Sequence, residues 1–156
     1  GKIRALGISN FDPGRMIDLY TWNEIKPVVN QVEAHFYCQR KEEKEWYDKY
    51  QVATEAYAPL AQNKIPELFT DEIAVKIAQK YNKTVAQVAI RFLMQLGMIV
   101  IPKSTHEERI RENFEAANFT LSDEDMEALK SLDRKTPICG FSENPARVET
   151  LVAKKL

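Results

Sequence analysis

The chain has 156 residues, 22 of them basic and 23 acidic, for a formal net charge of −1. That is one domain's worth of protein, with a smaller core than a whole eight-stranded barrel would bury. Near-neutral charge with interspersed signs argues against a nucleic-acid surface, which selects a basic patch, and no apolar run approaches membrane-spanning length.

Cys38 and Cys139 stand without Cys-x-x-Cys or metal-ligand spacing and read as reduced thiols of a cytoplasmic protein. The chain opens on Gly1, directly before a strand, with neither signal peptide nor initiator Met. That start suggests an excised piece of something longer. The expectation is a single partial domain over 1–156, with 134–156 as a C-terminal loop and tail.

Taken in order, Ile3 to Ile8 reads as a strand, followed by a Ser9-Asn10-Phe11 loop. Asp12-Pro13 supplies an N-cap and a first-turn proline for a helix through about Trp22, with Met16, Ile17, Leu19 and Tyr20 on its apolar face. Val28 to Glu33 is the second strand. Gln39 to Tyr50 is a charged helix with Trp46, Tyr47 and Tyr50 on its packing side. Gln51 to Tyr57 is the third strand, closed by Ala58-Pro59-Leu60-Ala61. Asp71 caps a helix to about Tyr81, and a Thr84–Gln87 capping box starts another that Gly97 ends. The fourth strand lies in Met98 to Ile101. Ser122 with Asp125 opens a further helix, 134–145 is loop-like, and a short helix closes the chain.

Four strands alternating with helices make consecutive βα units of an α/β fold with a parallel sheet and right-handed crossovers. No Gly-x-Gly-x-x-Gly appears, which weakens a doubly wound dinucleotide fold. An eight-stranded (β/α) barrel needs eight such units, so half a barrel describes this chain.

The stretch Ile99 to Asn113 organises the rest. After Pro102 a helix is expected to open at Ser104 or Thr105, where two capping boxes overlap, Ser104 with Glu107 and Thr105 with Glu108. Free N–H groups and the positive end of the helix dipole attract phosphate there. Lys103 adds a charge and Ser104 a hydroxyl. Arg109, one turn on, can stack on a base or fork onto a phosphate, and Glu112 with Asn113 can read the edge of an adenine. An ordinary capped helix with a solvated charged face satisfies the same spacing.

In a barrel the chemistry sits at the carboxyl ends of the strands. Those ends carry Ser9-Asn10, Gln31, Tyr57 with Pro59-Leu60, and Lys103-Ser104. A carboxamide needs donors and acceptors, which Ser9, Asn10 and Gln31 provide. A nicotinamide ring needs a flat face, which Tyr57 provides.

Four ordered motifs carry a resemblance: Gly7-Ile8-Ser9-Asn10-Phe11, Asn30-Gln31-Val32-Glu33, Tyr57-Ala58-Pro59-Leu60, and Ile101-Pro102-Lys103-Ser104 followed by Arg109 and Glu112-Asn113. Together they resemble the NADPH-dependent aldo-keto reductases of bacterial type, and only the C-terminal half of that family's (β/α)8 TIM barrel. The resemblance implies NADP(H) as cofactor. Lys103 and Ser104 would meet the 2′-phosphate beside Thr105, and Arg109 would pack on the adenine. Glu112 and Asn113 would meet its exocyclic amine, and Ser9, Asn10 and Gln31 the carboxamide. Tyr57 would stack on the nicotinamide, and Pro59 and Leu60 would line the pyrophosphate path. Ala58 stands where many members carry Ser, and His106 where Thr often occurs.

The family's catalytic Tyr, Lys, Asp and His come from earlier strands, in motifs absent from this chain. No catalytic residue and no metal ligand is therefore assigned. His35 reads as a pocket wall or a satisfied packing residue, and Cys38 as inert. The implied function is the NADP(H)-binding half of an enzyme reducing aldehydes or ketones by hydride transfer. The 134–145 loop, with Pro137, Ile138 and Phe141, resembles the family's variable segment over the substrate pocket. The chain alone would be inactive.

A competing reading is a non-catalytic nucleotide-binding or assembly module. An open half barrel exposes sheet edges and an apolar inner face, so self-association or partial unfolding is expected of it. A different phosphate-binding barrel is the third reading. Ser9-Asn10 and Tyr57 speak against that one, since a simple phosphate ester needs neither.

Overall fold

The computed structural model describes residues 1–139 together with 146, 149, 150 and 153. The sheet has four parallel strands in chain order, β1 (Leu6–Ser9), β2 (Pro27–Glu33), β3 (Ala53–Tyr57) and β4 (Ile99–Val100). The helices are α1 (Pro13–Trp22), α2 (Lys41–Lys49), α3 (Glu72–Tyr81), α4 (Val85–Gln95), α5 (Glu107–Glu115) and α6 (Asp123–Lys130). Short 3-10 turns occupy Ala61–Asn63, Pro66–Phe69 and Ala116–Asn118. The expected run of βα units is present. No helix among the described residues is long and apolar enough to cross a membrane.

Local chemistry sets most boundaries. Asp12 accepts from the Arg15 N–H at 3.0 Å and Pro13 opens α1. Asp71 accepts from the N–H groups of Ile73 and Ala74, so α3 starts at the next residue. The Thr84–Gln87 capping box closes in both directions, with bonds of 3.2 and 3.0 Å. Gly97, at φ +78°, ends the α4 segment by letting Met98 N–H reach back to the Leu93 carbonyl at 3.1 Å. Ser122 caps α6.

Several boundaries move. The first strand begins at Leu6 rather than Ile3, because its only partner starts at Pro27 and the register is irregular between Leu6 and Gly7. Arg40 and Gln51 adopt left-handed φ of 54° and 57°. Those turns trim the expected Gln39–Tyr50 helix to α2 and delay the third strand to Ala53. Trp46 is not on the packing side: it is 44% exposed, under the Lys49 ammonium at 4.7 Å.

Neither expected capping box at Ser104 or Thr105 forms. α5 starts at Glu107, with His106 as a cap residue whose side chain makes no capping bond. The Ser104 hydroxyl instead accepts from the His106 N–H at 3.1 Å, a local turn that competes with the helix. Lys103 and Ser104 therefore lie before the helix start.

The main core lies between the sheet and helices α3, α4 and α6, around Phe36, Leu68, Phe92, Leu93 and Leu129. A smaller one joins Met16, Val32, Tyr47 and Val52 under α1 and α2. Large apolar side chains stay exposed beside both edge strands: Ile3, Leu6, Trp22, Ile25 and Val28 near β1, and Ile99, Ile101, Ile110 and Phe114 near β4. The loop expected over 134–145 is described only as far as 139, and the closing helix lies outside the described residues apart from isolated positions.

Candidate functional site

Parallel register places the strand ends side by side, Ser9 opposite Gln31 and Glu33 opposite Tyr57. Asn10 turns away from β1 at φ 58°, a conformation that asparagine tolerates better than most residues. Its N–H bonds the Gln31 carbonyl at 2.9 Å, as does the Ser9 hydroxyl at 3.0 Å. The Asn10 amide donates to Ser9 Oγ at 3.2 Å and accepts from the Tyr57 hydroxyl at 3.1 Å. Gln31 Nε2 donates to Glu55 Oε1, its neighbour on β3. That bond orients the amide and leaves Gln31 Oε1 as an acceptor. Ser9, Asn10, Gln31 and Tyr57 thus form one polar group at the carboxyl edge of the sheet.

Tyr57 also lines a cleft of about 1060 Å³. One wall is the turn after β3, with Ala58, Pro59 and Leu60, and another is the start of α4, with Thr84, Val85 and Ala86. The third is Ile101 to His106 with Arg109, Glu112 and Asn113 from α5. Ala58 and Gln62 of the first wall, with the buried Ala61 between them in sequence, hold left-handed φ between 50° and 52°. Each such non-glycine costs on the order of 1–2 kcal/mol, a strain that clusters at binding sites. Among the described residues neither Lys103 nor Arg109 has a carboxylate partner, whereas Arg40, Lys44, Lys80 and Lys130 do. Two unpaired cations facing one cleft suit an anionic ligand.

The structure therefore brings Lys103, Ser104, Thr105, Arg109, Glu112, Asn113, Pro59, Leu60 and Tyr57 around one space. Ser9, Asn10 and Gln31 do not line it and join it through Tyr57. A ligand that carries both anionic groups and a flat ring bearing an amide matches these side chains. The residues present fit NADP(H).

Sequence reasoning missed two carboxylates. Glu55 holds Gln31, and only the cross-strand register reveals it. Glu33 is wholly buried and accepts from His35 Nε2 at 3.0 Å and from the N–H groups of Ile138 and Cys139 at 2.6 and 2.9 Å. Burial alone would raise its pKa; the hydrogen bonds from His35, Ile138 and Cys139 together hold it below its usual value. The one available signal was a charged residue where the strand should be apolar.

His35 is a satisfied packing residue. Its ring donates to Glu33 and accepts the Tyr37 N–H at 3.3 Å, with no exposure. Burial pushes the Cys38 thiol up to about 12, the behaviour of an inert cysteine. Burial, then the neighbouring Cys139 and Glu33, also raise the Tyr57 hydroxyl, so it stays protonated and can donate to Asn10. Both cysteines are free, and no cluster of metal-ligating side chains occurs among the described residues.

Comparison with known proteins gives this geometry a family. The model of the "Aldo/keto reductase family" matches residues 1–134. "Aldose reductase B" of Dictyostelium discoideum is 42% identical over 139 residues, covering 89% of this chain and 44% of that protein. "Glyoxal reductase" of Bacillus subtilis is 42% identical over 134 residues, covering 86% and 48%. The crystal structure of MGS-M4, an aldo-keto reductase from a Medee basin deep-sea metagenome library, superposes with a TM-score of 0.89 at 40% identity. It covers 92% of this chain and 53% of that one. The chain spans about half the length of the curated relatives it matches. Its parallel α/β architecture matches that solved structure, and a family model covers most of its residues. On those grounds the chain belongs to the aldo/keto reductase family.

Proposed function

We propose that this chain is the NADP(H)-binding, C-terminal half of a reductase that converts aldehydes and ketones to alcohols. The observation that carries the reading is one cleft lined both by Lys103 and Arg109, which have no carboxylate partner among the described residues, and by Tyr57, which is bonded to Asn10. Lys103 and Ser104, with Thr105, would hold the 2′-phosphate, and Arg109 would lie on the adenine. Glu112 and Asn113 would meet the adenine's amine. Pro59 and Leu60 would line the pyrophosphate path, and Tyr57 would stack on the nicotinamide. Ser9 and Asn10 would orient the carboxamide, with Gln31 Oε1 accepting its N–H. The cofactor, when bound, supplies the hydride. The chain's own contribution is orientation and coenzyme choice. It carries none of the family's proton-donor motifs, so by itself it is expected to bind without turning over.

The test is NADPH binding by energy transfer from Trp22 and Trp46, compared with NADH. Native chain should favour NADPH, and Lys103→Ala should weaken NADPH by roughly tenfold to a hundredfold while leaving NADH little changed. That is the effect of losing a charge-assisted phosphate contact worth about 1.5–3 kcal/mol. Equal affinities for the two coenzymes would refute the assignment of Lys103.

The exposed apolar side chains beside β1 and β4 favour a second reading, an assembly module that pairs through its open edges. Sedimentation should then show a concentration-dependent dimer. A monomer that unfolds cooperatively at every concentration would remove this reading.

A further inference from the structure

We propose that Glu33 is a positioning residue whose carboxylate seats the backbone of Ile138 and Cys139, fixing the strap over residues 134–139 against Tyr57. The strap leaves α6 and is tied at three places, one of them the exposed Lys135–Glu42 ion pair at 2.6 Å. The first tie holds its beginning to the turn after β2. Gln39 N–H donates to Asp133 at 3.2 Å, and the N–H groups of Arg134 and Thr136 both reach the Tyr37 carbonyl at 3.1 Å. The Arg134 guanidinium lies 3.7 Å from the centre of the Tyr37 ring. The last tie is Glu33, which takes the next two free N–H groups, those of Ile138 and Cys139.

A fully buried carboxylate is expensive unless every acceptor site is used, and an apolar side chain would serve a strand interior better. Here Oε1 accepts from His35 and Ile138 while Oε2 accepts from Cys139. Glu33 sits opposite Tyr57 in the β2–β3 register. Cys139, held there by Glu33, interacts electrostatically with the Tyr57 hydroxyl. Ile138 packs against the main core. The titratable groups that interact with Glu33 are His35, Cys38 and Arg40 from the segment that follows it, Tyr57 from β3 and Cys139 from the strap. The strap thus ends beside the Tyr57 hydroxyl. On the reading that the Tyr57 ring carries the nicotinamide, Ile138 and Cys139 are side chains that a small carbonyl substrate would meet.

Cys139 reports on the anchor without any cofactor. Its thiol is raised by burial and by the Glu33 charge beside it. Iodoacetamide labelling, read peptide by peptide across the alkaline range, should be slow in the native chain. Glu33→Gln turns one acceptor into a donor. It should speed Cys139 labelling severalfold and move its pH midpoint down, since the Glu33 charge that disfavours the thiolate is gone. Ile138→Pro removes one strap N–H and leaves β2 and the Glu33 charge untouched, so it keeps the test intact if Glu33→Gln unfolds the protein; it should speed labelling by loosening the strap and move the pH midpoint less. Cys38 should stay unlabelled in both. Labelling within about twofold of native in both variants overturns the proposal. A chain that fails to bind NADPH while Cys139 responds as expected overturns the functional reading and leaves the anchor standing.

Discussion

Replacing Glu33 with alanine is expected to lower stability by about 3 kcal/mol near neutral pH, because three donors lose one shared buried acceptor. Of the three, His35 is fully buried and has no route to water, whereas Ile138 and Cys139 are only half-buried and can rehydrate. The loss should also depend on pH. In the folded chain the Glu33 carboxyl titrates below its usual 4.5, so its contribution is complete above the unfolded value. It is lost as the pH falls through the folded value. Urea melts of native and Glu33→Ala chains should therefore differ most near neutrality and converge on acidification. A gap that stays constant into the acid range would mean that Glu33 acts through its bulk and not its charge.

Phe92→Ala should cost about 3–5 kcal/mol, a large share of the roughly 5–15 kcal/mol that holds a domain together. The ring has no exposure and lies 5.6 Å from Phe36, tilted by 56°. Phe36 belongs to the turn after β2 whose Tyr37 carbonyl carries the strap. α4, which bears Phe92, supplies Val85 and Ala86 to the cleft, with Thr84 as its cap. This pair therefore joins the helix that lines the cleft to the segment that orders the strap. Phe92→Leu keeps most of the volume and should cost about half as much. Denaturant midpoints at unchanged slope would measure both. An alanine variant with the native midpoint would place Phe92 outside the cooperative core.

The helix starts at Asp12, Asp71, Thr84 and Ser122 were legible because a cap acts within three residues of itself. The stop at Gly97 was legible for the same reason. At Ser104 the same local chemistry misled: the hydroxyl that spacing assigned to a helix cap closes a turn with His106 instead, and α5 begins later. Both outcomes satisfy one donor within two or three residues, and spacing does not choose between them.

The site residues at the strand ends were legible as types in ordered motifs, and their meeting was not. That Tyr57 bonds Asn10 across 47 positions, or that Glu55 holds Gln31, depends on the register of parallel strands separated by whole helices. The sequence by itself determined the alternation of strands and helices, the caps and the family motifs, all read from near neighbours in the chain. Tertiary structure alone decided which polar groups share a cleft, that Lys103 and Arg109 beside it have no carboxylate partner among the described residues, and that Glu33 is spent on a strap more than 100 residues away. Such pairings are set by burial, which forces a carboxylate inside the fold to find its donors wherever the chain returns.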